Sequence, residues 1–224
     1  MRIKLAIIFL VITMMSCVNE KNKSSSKAAP ILVCLGNSLT AGNGAVTPGL
    51  DDKSKSYPAF LQRKLKIPVI NAGVSGNTAS QGLARVNSEV LPHNPDIVII
   101  ELGANDIFQA IPIRVTQENL QEIITRLDNG KRKIYLAKFY TEPVARMIYG
   151  LLNVTDYDKQ TALIKEYDVL FETLAASNNV ELIEDIWDGL LNEHMADDMH
   201  PNQKGYAIMA ENYLKILKPY LDSL

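Results

Sequence analysis

Cysteine and tryptophan are nearly missing from this chain of 224 residues, which carries two of the first and one of the second. Two cysteines close at most one bridge, so the fold is not a disulfide scaffold. Charge of one sign is missing as well. The 23 Lys and Arg nearly balance 25 Asp and Glu, for a formal net charge of −2, and no basic stripe is interleaved with aromatics. Nucleic acid is therefore excluded as a partner class. Twelve glycines and ten prolines are too few for collagen or a low-complexity chain. What is present, 47% hydrophobic and 21% charged residues, is the composition of one ordinary globular domain with some residues to spare.

The spare residues lie at the start. Arg2 and Lys4 are followed by an apolar run from Leu5 to Met15, interrupted only by Thr13, and then by Ser16-Cys17. This is the order of a secretory signal. As a helix the run rises only about 16 Å, short of the roughly 30 Å hydrocarbon core of a membrane. Residues 1–16 are expected to be removed. A small residue and a cysteine after such a core resemble the bacterial lipobox, although Met14 and Met15 replace its usual leucine and small residue. The resemblance implies an exported bacterial lipoprotein held at a cell-envelope membrane by acyl chains on Cys17. The alternative is a plain secreted protein in which Cys17 is incidental. Residues 17–29 are rich in Ser and Lys without apolar periodicity, which predicts a flexible tether, and residues 30–224 form the domain.

Five short apolar runs have the length and β-branched content of buried strands: Ile31–Leu35, Val69–Asn71, Ile97–Leu102, Lys133–Phe139 and Val180–Ile183. Helical patterns separate them at Ala59–Leu65, Ala79–Val90, Gln117–Leu127 with Thr116 as its N-cap, and Lys159–Ala176. A last helix is expected at Gln203–Leu217, with Tyr206, Met209, Ala210, Tyr213, Leu214 and Leu217 on its apolar side. Strict alternation predicts an α/β fold, a parallel sheet covered on both faces by helices.

Such a sheet binds ligands beyond the carboxyl ends of its strands. The segments expected there are Gly36-Asn37-Ser38-Leu39-Thr40, Ala72-Gly73-Val74-Ser75-Gly76-Asn77, Gly103-Ala104-Asn105-Asp106 and Asp197-Asp198-Met199-His200-Pro201. A serine at a strand-to-helix turn becomes a nucleophile when a base takes its proton. His200 is the one histidine placed between a strand end and a helix. Asp197, three residues earlier, can curl back onto its Nδ1 and leave Nε2 for the serine. The Ser38 and Gly76 N–H groups and the Asn105 amide can supply three donors to an oxyanion.

In these four blocks the chain resembles the SGNH (GDSL-type) hydrolase family. Gly36-Asn37-Ser38-Leu39-Thr40 matches the nucleophile block, Gly76 the glycine block, Gly103-Ala104-Asn105-Asp106 the asparagine block, and Asp197 with His200-Pro201 the last block. Asn71–Val86 and Glu101–Asp106 look most like the bacterial arylesterase and thioesterase/lysophospholipase branch. The resemblance implies a three-layer α/β/α, flavodoxin-like fold with five parallel strands. It also implies Ser38 as nucleophile, Gly76 and Asn105 as oxyanion donors, and Asp197 and His200 as the other triad members. The implied partner is a small-molecule ester, and the implied chemistry needs no cofactor or metal. One position departs: Asn37 stands where the family usually has aspartate. The amide keeps an oxygen acceptor and loses the charge.

Blander readings compete at each position. Ser38 can be a simple helix cap, and Asn105-Asp106 a turn pair. Ser75 fits the elbow G-x-S-x-G except at Asn77, which favours a structural role. Cys34, in mid-strand, reads as an inert core thiol, His93 as solvated, and Trp187 as core or pocket wall. His194 with Glu193, Asp197, Asp198 and His200 offers metal ligands without the H-E-x-x-H spacing. Expected function is therefore a serine esterase. The alternatives are a carbohydrate O-acetylesterase and, from another class, a non-catalytic surface binding protein on the same scaffold. A final expectation concerns Thr141–Asp158, longer than a βα loop needs to be and carrying Val144, Met147, Ile148, Leu151 and Leu152. It reads as an acyl-pocket wall or as a local cap on the core.

Overall fold

The computed structural model describes residues 28–138 and 157–224. The expected signal, Cys17, nearly all of the expected tether and residues 141–156 of the Thr141–Asp158 segment lie outside the described residues.

Five parallel strands make one sheet in the order β2-β1-β3-β4-β5. They are β1 (Leu32–Gly36), β2 (Val69–Gly73), β3 (Ile97–Glu101), β4 (Lys133–Ala137) and β5 (Glu181–Ile183). Every residue of β1 and β3 is buried, as unbroken apolar runs require when both faces of a parallel sheet are covered. Among the described residues the α-helices are α1 (Ser38–Ala41), α2 (Tyr57–Leu65), α3 (Ala79–Arg85), α4 (Ala104–Phe108), α5 (Ile113–Leu127), α6 (Tyr157–Asn178) and α7 (Gln203–Leu221). Helices α2 and α7 pack together, as do α3 with α5 and α5 with α6. The result is the three-layer α/β/α arrangement expected of the sequence.

The local signals behave as chemistry dictates. Pro58 enters the first turn of α2, where its missing N–H costs nothing. Thr78 and Gln81 form a reciprocal capping box on α3. Asn202 caps α7 by accepting from the Lys204 and Gly205 N–H groups. Several boundaries differ from expectation: the helix expected over Ala79–Val90 gives way at Val86 to a π-helical turn, and two others have a clear cause. Thr116 is not an N-cap: α5 starts at Ile113 behind Pro112, and Thr116 is buried inside it, donating to Asp106 Oδ1 at 3.1 Å. Helix α7 runs on to Leu221 through Pro219, because proline deletes only one helical bond near the end while Tyr220 and Leu221 still pack against the core.

Register positions the site. Gly36 of β1 lies opposite Gly73 of β2 and Glu101 of β3, so three strands end on one line. A Cβ at Gly36 would come within 1.9 Å of Thr40 Oγ1, and one at Gly73 within 2.3 Å of the Ala41 nitrogen. The two glycines thus let α1 sit directly on the strand ends.

Candidate active site

The turn that carries Ser38 is built by Asn37, which leaves β1 in a non-helical conformation and caps α1 by accepting the Leu39 N–H on Oδ1 at 3.0 Å. Aspartate would make the same bond, so the departure at this position costs the cap nothing. Ser38 follows, half-buried.

His200 arrives from the other end of the chain. An antiparallel bridge between Met195 and Pro201 closes its loop, the Ala196 N–H donates to the His200 carbonyl at 2.8 Å, and Asn202 holds the Glu193 and Met195 carbonyls. Within this closed loop Asp197 Oδ1 accepts from the Met199 and His200 N–H groups, each at 2.8 Å. The carboxylate also meets His200 Nδ1 at 2.9 and 3.0 Å. Burial opposes ionisation of Asp197, but the Met199 N–H and the imidazole outweigh it and hold the carboxyl below its ordinary value. An acceptor on Nδ1 fixes the proton there and leaves Nε2 unprotonated. Nε2 lies 3.0 Å from Ser38 Oγ. Serine, imidazole and carboxylate, spread across 162 positions, form one continuous hydrogen-bonded chain.

The other two blocks join the same edge. Val74 donates its N–H to the Gly36 carbonyl at 3.1 Å, and Asn77 closes a turn back on Val74. Gly76 occupies that turn at φ +80°, a conformation costly for other residues. Ser75 donates to Asp51 Oδ1 at 2.5 Å. Asn105, opening α4, donates one amide N–H to the Asn77 carbonyl at 3.0 Å and keeps a second for another acceptor. His194 is engaged locally: its Nδ1 accepts the Leu191 N–H at 3.0 Å. Cys34 is fully buried, and burial pushes its thiol far up, as suits an inert core residue.

Beneath the Ser38 turn lies a group to which the sequence reading gave no role. Glu101, fully buried at the end of β3, accepts from Thr40 Oγ1 at 2.9 Å, and Thr40 Oγ1 also meets the Tyr57 hydroxyl at 3.0 Å. The Asn37 amide and backbone N–H face this carboxyl and favour its charge, although Oε1 makes no bond of full hydrogen-bond geometry. Burial dominates and raises it to about 7. The available signal was a lone acid closing an otherwise apolar strand.

The match to a family model decides what this arrangement belongs to. The model of the GDSL-like lipase/acylhydrolase family covers residues 34–208. The chain is a member of that family. It is similar to the arylesterase of Vibrio mimicus, 29% identical over 196 residues that span 84% of this chain and 88% of the relative. It resembles equally the thioesterase 1/protease 1/lysophospholipase L1 of Escherichia coli K12, 29% identical over 198 residues, 87% of this chain and 86% of that one. Among solved structures, the crystal structure of TesA superposes with a TM-score of 0.68 at 26% identity, over 84% of this chain and 98% of its own. This GDSL-family protein is an ester-hydrolysing enzyme with the family's fold. The structure gathers Ser38, Asp197 and His200 into one contact chain and brings Gly76 and Asn105 to the same edge through Asn77. Cys17 lies outside the described residues.

Proposed function

We propose that the protein hydrolyses carboxylic esters through an acyl-enzyme on Ser38. The observation that carries this reading is the contact of His200 Nε2 with Ser38 Oγ at 3.0 Å, with Asp197 on the opposite ring nitrogen. His200 takes the Ser38 proton as Oγ attacks the ester carbonyl. The Ser38 and Gly76 N–H groups and the free Asn105 amide N–H receive the oxyanion. The C–O bond to the leaving group then breaks, and His200 returns the proton to the departing oxygen. Water attacks the acyl-Ser38 ester while His200 takes its proton, and the acid leaves with Ser38 restored. Every atom in the cycle comes from ester and water, so no metal or cofactor is required.

The relatives' names favour aryl esters, acyl thioesters and lysophospholipids as substrate classes for this chain. A soluble form beginning at Ser24, assayed on aryl esters of rising acyl length, an acyl thioester, a lysophospholipid and an acetylated sugar, tests the choice. The kcat/KM is expected to climb severalfold from acetyl to medium acyl chains, because each methylene that the site buries contributes at most about 0.8 kcal/mol. Activity confined to acetylated sugar would favour the O-acetylesterase reading. The Ser16-Cys17 junction supports a second part of the proposal, export and lipid anchoring at a cell-envelope membrane through Cys17.

A further inference from the structure

The guanidinium of Arg85, at the end of α3, is shut in between two of the blocks that would bind the oxyanion, with only 14% of its side chain exposed. Its Nε donates to Asn77 Oδ1 at 2.8 Å. Nη1 donates to the Ala72 carbonyl at 3.0 Å and to Glu89 Oε2 at 2.6 Å. Nη2 reaches the Gly36 carbonyl at 3.2 Å. Gly36 stands two residues before Ser38, and Asn77 is the residue after Gly76. The Ala72 carbonyl belongs to the strand that leads into the Gly76 turn. One planar cation therefore grips the polypeptide on both sides of the gap across which an oxyanion would be held.

A lysine ammonium is a point charge on a flexible stem and cannot span these three directions in one plane. Glu89, half-exposed beside it, balances the charge, so the guanidinium is not needed as a counter-ion to anything in the site. Its geometry is what the surroundings use. The network extends one step further, since the Asn77 carbonyl accepts the amide of Asn105. The Gly36 carbonyl takes the Val74 N–H as well as Arg85.

We propose that Arg85 is a positioning residue for ester hydrolysis: by bridging Gly36 and Asn77 it sets the distance between the Ser38 and Gly76 oxyanion donors and, through Asn77, the pose of Asn105. The proposal rests on the serine-esterase reading above. It concerns the transition state, because donors displaced by a fraction of an ångström still admit substrate but meet the oxyanion poorly.

The test compares wild type, Arg85→Ala, Arg85→Lys, Asn77→Ala and the Arg85→Ala/Asn77→Ala double variant on one aryl ester, with thermal unfolding measured alongside. Expected is a fall in kcat of roughly 10- to 100-fold with KM nearly unchanged, no rescue by lysine, and partial recovery of Arg85→Ala in millimolar guanidinium that leaves wild type unaffected. Affinity for a trifluoromethyl ketone, which forms a tetrahedral oxyanion on the serine, should fall by the same factor as kcat/KM. The double variant should lose little more than Arg85→Ala alone, because both remove the same link. Where Arg85→Ala does not fold, Arg85→Lys and Asn77→Ala carry the same comparison. Wild-type kcat and ketone affinity in these variants, with only the unfolding temperature lowered, would overturn the proposal and leave Arg85 a structural brace. Failure of the esterase reading itself would show separately, as absent turnover in wild type.

Discussion

Thr40 donates its hydroxyl to the buried Glu101 carboxyl at 2.9 Å, which places an acid that titrates near 7 directly under the turn carrying Ser38. No cation compensates this carboxylate among the influences acting on it; burial raises it, and only hydrogen bonds from Thr40 and Asn37 oppose that.

Glu101 therefore makes stability depend on pH. Its folded value of about 7 exceeds the ordinary 4.5, so the folded state holds this proton more tightly than the unfolded chain does. The contribution is complete below about 4.5 and is lost as pH rises through about 7, a change of roughly 3 kcal/mol for a shift of this size. Urea unfolding at pH 5 and pH 8 should show wild type losing more stability over that interval than Glu101→Gln. Equal losses would mean that the carboxyl titrates normally.

Asn37 answers to the same carboxyl. Asn37→Asp keeps the cap on the Leu39 N–H but sets a second acid beside Glu101, so it should lower stability more at pH 8 than at pH 5, and Glu101→Gln should relieve the excess. Asn37→Ala should cost about 1 kcal/mol at pH 5 through loss of the cap, and more at pH 8, where the Glu101 charge also loses the Asn37 amide.

Substitutions in the proposed triad should separate by role. Ser38→Ala and His200→Ala are expected to reduce kcat on an aryl ester by several orders of magnitude, and Asp197→Ala by no more than these, because the carboxylate only orients and stabilises the imidazole. Kinetics on purified variants with matched unfolding temperatures provide the check. Near-wild-type turnover in His200→Ala would break the proposed proton path.

The proposed anchor at Cys17 has its own test. Expressed whole in a bacterium, the protein should incorporate labelled fatty acid and partition with membranes, and Cys17→Ala should abolish both. Equal labelling of the Cys17→Ala form would refute the anchor.

The strands were legible because both sheet faces are covered: the runs Leu32–Leu35 and Ile97–Ile100 have no polar side to confuse their reading. Of the candidate site, the residues that the structure brings to one edge, Ser38, Gly76, Asn105, Asp197 and His200, were legible because each lies in a short glycine-rich or polar block beyond a strand. Arg85 and Glu101 were not, for different reasons. An arginine late in an amphipathic helix looks like any solvated helix residue until its partners, Gly36 and Asn77, come from other segments. Glu101 sits in a strand whose pattern announces only burial. Thr116 misled because a threonine before a periodic run is the ordinary mark of a cap, while here a tertiary bond to Asp106 placed it inside the helix.

The central claim is that Ser38 is the nucleophile activated by His200, and phosphonylation tests it most directly. Treated with a fluorophosphonate, the protein should gain one adduct, mapped by peptide mass spectrometry to Ser38, with esterase activity lost in proportion and no adduct in Ser38→Ala or His200→Ala. Full esterase activity after complete labelling, or an adduct that persists in Ser38→Ala, would contradict it.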